Sequence, residues 1–397
     1  MEQNPKNEKR QPRRAKKPHL WLTLSVAILC IAGVVIAAVL MSRQNTPTDP
    51  DGGNKTVIHL AAGGDLNITD NVINSAGSDR SFQNAFMDVL PLLSNADLTV
   101  LNFEGNFYGE PYGSESRSAP ASLAKALSSA GVDILQLANS CSVSGGIAGL
   151  VSTIDTVEHS GLIPLGAYRN PDEAKKEKGY TLVEVQGVRI AFVAFTKGMD
   201  GMALPAGSEG CINLLYKDYD STYQQVDTEG ITKVMKNVNA ASPDLIVAMV
   251  HWGSEFNDSI SKTQTQIKTL LQENGADVII GTHPHYVQKL EFDKESGAFV
   301  AYSLGDFFGD ATRAGSEYSI ILDLEITKNH DTGETKVTNY SYTPIFTVRQ
   351  EGRELRVVRI AEAMAAYDNN YMDRVPESVY DAMVYALKRI DARVKGE

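Results

Sequence analysis

Short β-branched apolar runs alternate with amphipathic stretches over most of the chain, a pattern typical of strands and helices that follow one another. The apolar runs predict buried strands at 56–62, 97–102, 132–138, 162–167, 244–250 and 277–280. Apolar residues at helical spacing predict helices at 82–93, 121–130, 146–159, 229–241 and 263–274. Two further runs, 180–185 and 188–195, flank Gln186-Gly187 and predict a β-hairpin.

The last third of the chain changes to a mostly β pattern. Strands are predicted at 286–292, 299–304, 318–326, 336–342 and 355–360, and helical stretches follow them, the last at 378–394. Residues 198–228 carry little pattern and predict a surface loop. Alternating strands and helices followed by antiparallel strands indicate an α/β protein with a two-sheet core and helices on the outside.

The N-terminal region has a different pattern. Leu20–Met41 contains no charged residue and is long enough to cross a bilayer as a helix. Seven of the preceding residues are Lys or Arg, so the positive-inside rule places 1–19 in the cytoplasm and the rest outside the cell. We therefore expect a single-pass anchor at 20–41, a polar linker at 42–55, a domain at 56–349 and a mostly helical extension of that domain at 350–397. A cleavable signal peptide is the alternative; its apolar region should be shorter and should close on a small-x-small site.

Charge and cysteine content narrow the classes of function. Residues 1–43 hold eight of the 37 Lys and Arg and two of the 49 Asp and Glu, which leaves 29 basic against 47 acidic residues, a net charge of −18, for the remainder. So acidic a domain argues against nucleic acid as a partner, and an anionic substrate would need bound cations. Three cysteines, Cys30, Cys141 and Cys211, make no disulfide framework, although one Cys141–Cys211 bridge is left open.

Polar side chains recur where predicted strands end. They are Asp65, Asn102 with Glu104, Asn139, His251, and the pair in Gly281-Thr282-His283-Pro284-His285. Because the carboxyl ends of parallel strands lie along one edge of a sheet, we expect these residues to converge. Taken singly, each could equally be a turn residue, a helix cap or a core histidine. His59, His159 and His330 are interpreted as structural or surface residues.

The combined set suits a metal centre. Carboxylates, an amide oxygen and imidazoles favour first-row ions such as Mn²⁺, Fe²⁺ or Zn²⁺ over Ca²⁺ or Mg²⁺. A set of two carboxylates, one amide oxygen and three imidazoles exceeds the needs of one catalytic zinc. The sequence therefore predicts two divalent ions bridged by a carboxylate. Such paired ions activate a bridging water for displacement at phosphorus.

In combination and order, six short motifs resemble the CapA family of poly-γ-glutamate capsule synthesis proteins. They are Gly64-Asp65, Asn102-Phe103-Glu104, Leu137-Ala138-Asn139, His251-Trp252-Gly253-Ser254-Glu255, His283-Pro284-His285 and Tyr302-Ser303-Leu304-Gly305-Asp306-Phe307. That family resembles the calcineurin-like metallophosphoesterases, so the resemblance implies a four-layered α/β/β/α sandwich behind the predicted membrane helix. It also implies a bacterial cell-membrane protein and the subunits of poly-γ-glutamate synthesis and export as partners.

The resemblance also implies a role for each candidate residue. Asp65 and His285 would hold one ion, while Asn139, His251 and His283 would hold the other. Glu104 would bridge the two ions. Four more residues would contact the ligands or the substrate: Asn102, Glu255, Ser303 and Asp306.

The chain departs from the family pattern, which has Asn-Asn-His and then Asp-Tyr-Gly where this chain has Asn139-Ser140-Cys141 and Ser144-Gly145-Gly146. Cys141 stands where the family has a histidine, which the wider superfamily uses as the general acid for the leaving group. Asp306 replaces a usual asparagine, and Asn67 a usual methionine. Losing a general acid typically costs about 10²–10⁴-fold in rate. We therefore expect a capsule-biosynthesis protein with weak or absent hydrolysis that binds an anionic polymer. The alternative is an active extracytoplasmic metal-dependent phosphoesterase or polymer hydrolase.

Overall fold

A computed structural model describes residues 54–350, 352–371 and 374–397. The predicted basic segment at 1–19 and the predicted anchor at 20–41 lie outside the described residues, as does nearly all of the linker at 42–55. Within the described part, no helix combines the length and apolarity needed to cross a bilayer.

The strands of the first sheet are β1 (Lys55–Asn67), β2 (Leu98–Glu104), β3 (Ile134–Gln136), β4 (Ile163–Leu165), β11 (Asp306–Phe308), β12 (Tyr318–Asn329), β13 (Thr335–Val348) and β14 (Arg356–Arg359). They run in the order β14-β13-β12-β1-β2-β3-β4, with β11 paired to the end of β1. Neighbours among β1 to β4 are parallel, whereas β12, β13 and β14 add antiparallel strands beyond β1.

The strands of the second sheet are β5 (Tyr180–Val185), β6 (Val188–Thr196), β7 (Leu245–His251), β8 (Val278–Thr282), β9 (Leu290–Phe292) and β10 (Phe299–Ala301). They run in the order β5-β6-β7-β8-β10-β9. The central strands β6, β7, β8 and β10 are parallel, and β5 and β9 pair antiparallel at the two edges. Both sheets thus present the carboxyl ends of parallel strands, where ligands bind in α/β folds.

Helices connect the strands and cover the sheets. They are α1 (Asp70–Ser75), α2 (Leu90–Ser94), α3 (Ala121–Ala130), α4 (Gly146–His159), α5 (Pro171–Glu177), α6 (Thr228–Ala240), α7 (Lys262–Glu273), α8 (Ile360–Asp368) and α9 (Glu377–Lys395). Local sequence fixes several ends: Ser261 and Gln264 form a capping box at the start of α7, and Gly131 ends α3 in the left-handed conformation.

Alternating residues of the second sheet pack on opposite sides. Phe192, Val247 and Ile280 belong to the large core that includes both sheets. Their neighbours Val193, Ala248 and Ile279 belong to a second core that includes apolar residues of α6 and α7. Because side chains alternate along a strand, a run that is apolar at every position is the expected sequence for a sheet covered on both faces.

The predicted α/β fold with two sheets is confirmed, with local differences. The helix expected at 82–93 is a 3₁₀ turn (Asn84–Phe86) followed by α2, because Pro91 favours the first turn of a new helix over a helix interior. The short helices α1 and α5 were not predicted. Residues 198–228 hold no helix or strand before α6, but they are not simply a surface loop, since Cys211, Ile212 and Leu215 are buried.

Candidate metal centre

The residues at the strand ends meet in space. Glu104, the last residue of β2, accepts a hydrogen-bond contact from His251, the last residue of β7, with Oε1 and Nε2 2.9 Å apart. His285, just beyond β8, places Nε2 3.7 Å from Glu104 Oε2 and Nδ1 3.6 Å from Asp65 Oδ2. The predicted convergence of carboxylates and imidazoles is therefore present in the structure, at an edge to which both sheets contribute.

A close backbone approach brings a further carboxylate to this edge. Gly64 lies so near β11 that a Cβ added there would fall 1.7 Å from the carbonyl oxygen of Gly305. The amide of Asp65 donates to the same oxygen at 2.9 Å, and Asp65 pairs in register with Asp306. Only glycine at position 64 permits this spacing, so the Gly-Asp motif has a structural reason.

The loop after β8 is held in an unusual conformation. His283 and His285 have φ angles of +90° and +58°, which non-glycine residues seldom adopt. The amide of His283 donates to Asp65 Oδ2 at 3.1 Å, and the rigid Pro284 lies between the two histidines. Backbone strain of this kind is concentrated at functional sites, where the surrounding structure enforces it.

Two overlapping groups of buried residues could hold a cation. In the first, Asp65, His285 and Asp306 offer ligand atoms within 4.8 Å of one another; in the second, Glu104, His283 and His285 do the same. His285 Nδ1 also lies 2.7 Å from Asp306 Oδ1. Asp306, expected to contact ligands or substrate, therefore stands among the potential ligands themselves.

The buried carboxylates of the centre carry more negative charge, when ionised, than the cationic side chains around them balance. Burial raises the pKa of Glu104 to about 7, and burial together with the charge of Glu104 raises the pKa of Asp65. Burial, only partly offset by His285, also raises the pKa of Asp306. A divalent cation would stabilise all three carboxylates in their ionised form, so the donor set fits a metal ion.

The three histidines of the centre differ in pKa because their surroundings differ. Burial lowers the pKa of His251 to about 3 and the pKa of His283 well below its usual range, so both rings are neutral and suited to metal ligation. Burial opposes the charged form of His285 as well, but the carboxylates of Asp306 and Glu104 outweigh it and raise its pKa well above the usual range. In the absence of a cation, His285 is thus the counter-charge of the centre.

Two asparagines connect the acidic residues to the strands behind them. Asn102 Nδ2 donates to Asp65 Oδ1 at 2.7 Å and to Glu104 Oε1 at 3.3 Å. Asn139 Nδ2 donates to Asn102 Oδ1 at 3.0 Å, while its own Oδ1 accepts from the amide of Cys141 at 3.0 Å. Asn139 is therefore at the centre as expected, with its amide oxygen turned towards its own loop; its role as a cation ligand stays a prediction.

The remaining predicted residues differ in position. Cys141 is buried at the centre, and burial raises the pKa of its thiol to about 12. Cys141 and Cys211 are both free, so the bridge left open from the sequence is not formed. Glu255 is exposed near the rim, where its charge contributes to raising the pKa of Glu104. Ser303 is buried, and its hydroxyl accepts from the amide of Gly305 at 3.2 Å.

Sequence reasoning missed two cations beside the centre. Lys197 Nζ lies 3.3 Å from His283 Nε2, and Arg117 Nη1 donates to Asn67 Oδ1 at 2.9 Å at the end of β1. Lys197 directly follows β6, so the same strand-end rule that found the ligands could have found it. Arg117 lies in an irregular loop with a φ of +54°, and no pattern in the sequence marks it.

The protein has a mixed α/β fold of two sheets and helices, and its parallel strands end on buried carboxylates and imidazoles. The profile of the bacterial capsule synthesis protein PGA_cap family matches residues 59–311, and the chain belongs to this family. It is 26% identical over 317 residues to the capsule biosynthesis protein CapA of Bacillus anthracis, covering 77% of this chain and 73% of that protein. It is 24% identical over 338 residues to the PGA biosynthesis protein CapA of Bacillus subtilis (strain 168), covering 83% and 82%. Among solved structures, a phosphatase from Mycoplasma pneumoniae is similar with a TM-score of 0.43 and 14% identity, covering 73% of this chain and 94% of that one.

Proposed function

We propose that this protein takes part in capsule biosynthesis by holding an anionic polymer of the poly-γ-glutamate type through a buried divalent-cation centre. The observation that carries the proposal is the group formed by Asp65, His285 and Asp306, whose ligand atoms lie within 4.8 Å of one another in a buried, acidic setting. Two curated relatives are named for capsule or PGA biosynthesis, which supports the capsule role.

The cation would be held by the carboxylates and imidazoles at the carboxyl edge of the sheets. Six buried residues offer donor atoms at the centre, and their mixture of oxygen and nitrogen suits Mn²⁺, Fe²⁺ or Zn²⁺. They are Asp65, Glu104, His251, His283, His285 and Asp306. When bound, such an ion acts as a Lewis acid and an anion receptor. The two apolar cores, one between the sheets and one under α6 and α7, support the four-layered α/β/β/α order implied by the resemblance.

Local cations at the rim support an anionic ligand despite the net negative charge of the domain. Arg117 is half-buried beside the centre, where its charge offsets part of the rise that burial produces in the pKa of Glu104 and of Cys141. Arg313 is exposed above the ring of Phe256, 3.9 Å from its centroid, and that ring stacks on His285. A carboxylate of the polymer would meet the bound cation at the centre and these guanidinium groups at the rim.

Hydrolysis is expected to be weak or absent because the residue at the acid position is a poor proton donor. The Cys141 thiol, with a pKa of about 12, stays protonated at neutral pH and holds its proton too tightly to release it to a leaving group. The competing function, an active metal-dependent phosphoesterase or polymer hydrolase, is favoured by the completeness of the imidazole and carboxylate set. Both functions need the cation, and they differ in turnover.

We also propose the topology expected from the sequence: a cell-membrane anchor at 20–41, the N-terminus in the cytoplasm and the domain outside. Subunits of poly-γ-glutamate synthesis and export would be its partners. Protease treatment of intact cells should cleave the folded domain. Cleavage only after lysis would contradict this topology.

The experiment for the central proposal measures metal content, polymer binding and hydrolysis on the same preparations. Wild type should retain a divalent ion and bind poly-γ-glutamate only when loaded with Mn²⁺, with little Mn²⁺-dependent phosphodiesterase activity. His285→Ala should lose both metal and polymer binding, whereas His159→Ala, which alters an exposed helix residue, should lose neither. Polymer binding that survives removal of the metal would refute the proposal, and rapid hydrolysis abolished by His285→Ala would favour the enzyme instead.

A further inference from the structure

Arg393, near the end of α9, is a charged residue in a buried position. It is 8% exposed, and its guanidinium carbon lies 4.5 Å from the ring centroid of Tyr286 and 5.5 Å from that of Tyr318. Its Nη2 lies 3.3 Å from Asp258 Oδ2, while its Nε and Nη1 are buried without a hydrogen-bond partner among the described residues. Two aromatic faces and one carboxylate therefore offset the cost of burying this charge.

The contact with Tyr286 reaches the histidine loop along the chain. Tyr286 directly follows His285, and its hydroxyl donates to the carbonyl oxygen of Ala314 at 2.7 Å. A hydrogen bond thus fixes the hydroxyl end of this ring, and the guanidinium of Arg393 covers one face. Since His285 has a φ of +58°, which a non-glycine residue seldom adopts, the surrounding structure must hold it in place. Arg393 does so through the residue next to it.

The contact with Asp258 reaches the imidazole of His285 from outside the loop. Asp258, which pairs with Arg393, lies two residues after Phe256. The amide of Phe256 donates to the carbonyl oxygen of Pro284 at 2.8 Å, and its ring stacks on His285 with the centroids 5.1 Å apart. Helix α9 is therefore connected to the backbone beside His285 and to its ring.

The orientation of His285 matters more than that of any other imidazole at the centre. His285 is the residue shared by both groups of side chains that could hold a cation. A bound ion needs its ligand atoms in fixed positions, and replacing the residues that orient a ligand typically weakens metal binding by about 10–100-fold. A residue that holds His285 would therefore control the affinity for the cation.

We propose that Arg393 is a positioning residue of the centre: it holds Tyr286 and Asp258 and thereby keeps the imidazole of His285 turned towards the cation. This inference rests on the proposed function, since it presumes a cation at the centre. It gives a role at the centre to α9, which lies beyond residues 59–311 of the family match. Arg393 acts through His285 and is not itself a ligand.

The test compares Mn²⁺ affinity with stability in variants of the full chain. Arg393→Met removes the charge and fills a similar volume, a change that is often neutral for stability when the charge is buried. It should weaken Mn²⁺ binding by about 10–100-fold in equilibrium dialysis and alter the electron paramagnetic resonance spectrum of the bound ion, while its urea midpoint stays near that of wild type. Arg393→Lys keeps a cation that can face Tyr286 and should restore most of the affinity.

The matched control is Ile390→Ala on the same helix. Ile390 is 1% exposed and belongs to the large core, so this variant should lower the urea midpoint and, while folded, bind Mn²⁺ as wild type does. Three results would each overturn this inference and leave the proposed function standing: wild-type affinity in Arg393→Met, equal losses of affinity in Arg393→Met and Ile390→Ala, or a lysine variant as weak as the methionine variant.

A second variant covers the case in which Arg393→Met does not fold. Asp258→Asn changes an exposed residue and removes the ion pair with Arg393, so it should fold and should bind Mn²⁺ more weakly than wild type. Wild-type affinity in Asp258→Asn would then overturn the inference. A wild-type protein that binds no Mn²⁺ would overturn the proposed function and the inference with it.

Discussion

Replacing Glu104 by glutamine should stabilise the metal-free protein, although Glu104 is buried and hydrogen-bonded. Its carboxylate shares the centre with those of Asp65 and Asp306, and without a cation the main counter-charge is His285. Glutamine keeps the shape and the acceptor oxygen while removing one negative charge. A binding site that is strained in its empty state gains stability when the group required for binding is neutralised.

The magnitude follows from the pKa of Glu104, which burial raises from 4.5 to about 7. Between these values the folded state binds more protons than the unfolded state, so the free energy of unfolding falls as pH rises. Through this group, the free energy of unfolding of the metal-free wild type falls by about 3 kcal/mol at pH 8 and by less than about 1 kcal/mol at pH 5. Since glutamine does not titrate, the free energy of unfolding of Glu104→Gln should exceed that of wild type by these amounts.

The assay is urea unfolding in the presence of EDTA at pH 8 and at pH 5, followed by the fluorescence of the buried Trp252. Glu291→Gln is the control, because Glu291 is partly exposed and pairs with Lys268 and Lys289. Removing that charge should lower the free energy of unfolding by at most about 1 kcal/mol. A Glu104→Gln variant that is less stable than wild type at pH 8, or that gains the same stability at both pH values, would contradict this prediction.

Three further predictions concern the same edge of the fold. Mn²⁺ affinity should rise from pH 6 to pH 8, because burial raises the pKa values of Asp65 and Glu104 and their protons must leave when the ion binds. Calorimetry in buffers of different ionisation enthalpy should detect this proton release, and finding none would contradict the prediction. Cys141→His should raise Mn²⁺-dependent phosphodiesterase activity by up to about 10²–10⁴-fold, whereas Cys141→Ser should not. Equal rates in the two variants would show that the residue at the acid position does not limit turnover. In urea unfolding, Gly64→Ala should lower the free energy of unfolding by about 3 kcal/mol or more, since its Cβ would overlap the facing backbone. The control Gly149→Ala, whose Cβ has its nearest contact at 3.7 Å, should be neutral or stabilising.

Much of the scaffold could be predicted from the sequence because its strands are covered on both faces. In β7 every residue is buried, and a continuous apolar run as short as Leu245–Val250 is typical of such a strand. Helix α7 has a capping box at its start and apolar residues at helical spacing, so its bounds are close to those predicted. By contrast, α5 buries no residue at all, and its sequence therefore lacks the apolar periodicity by which a helix is predicted.

The centre could be predicted as a set of strand ends but not in its details. The rule that parallel strands end at one edge brings Asp65 and Glu104 together in the first sheet and places His251 at the same kind of edge in the second, without any knowledge of distances. It does not reveal which way an amide points, so the turn of the Asn139 oxygen towards Cys141 could not be predicted. Nor does it reveal that β11 lies beside β1 through an approach of two glycines, which places Asp306 among the potential ligands.

Two departures of this chain from the family pattern, Asp306 and Cys141, alter the same centre, and they act in one direction. Asp306 adds a carboxylate and thereby strengthens ground-state binding of a cation, while Cys141 withholds the proton that a leaving group would need. Catalysis requires interactions that are stronger in the transition state than in the ground state. Changes that favour the ground state and remove the acid are those expected of a centre that holds a polymer without cleaving it.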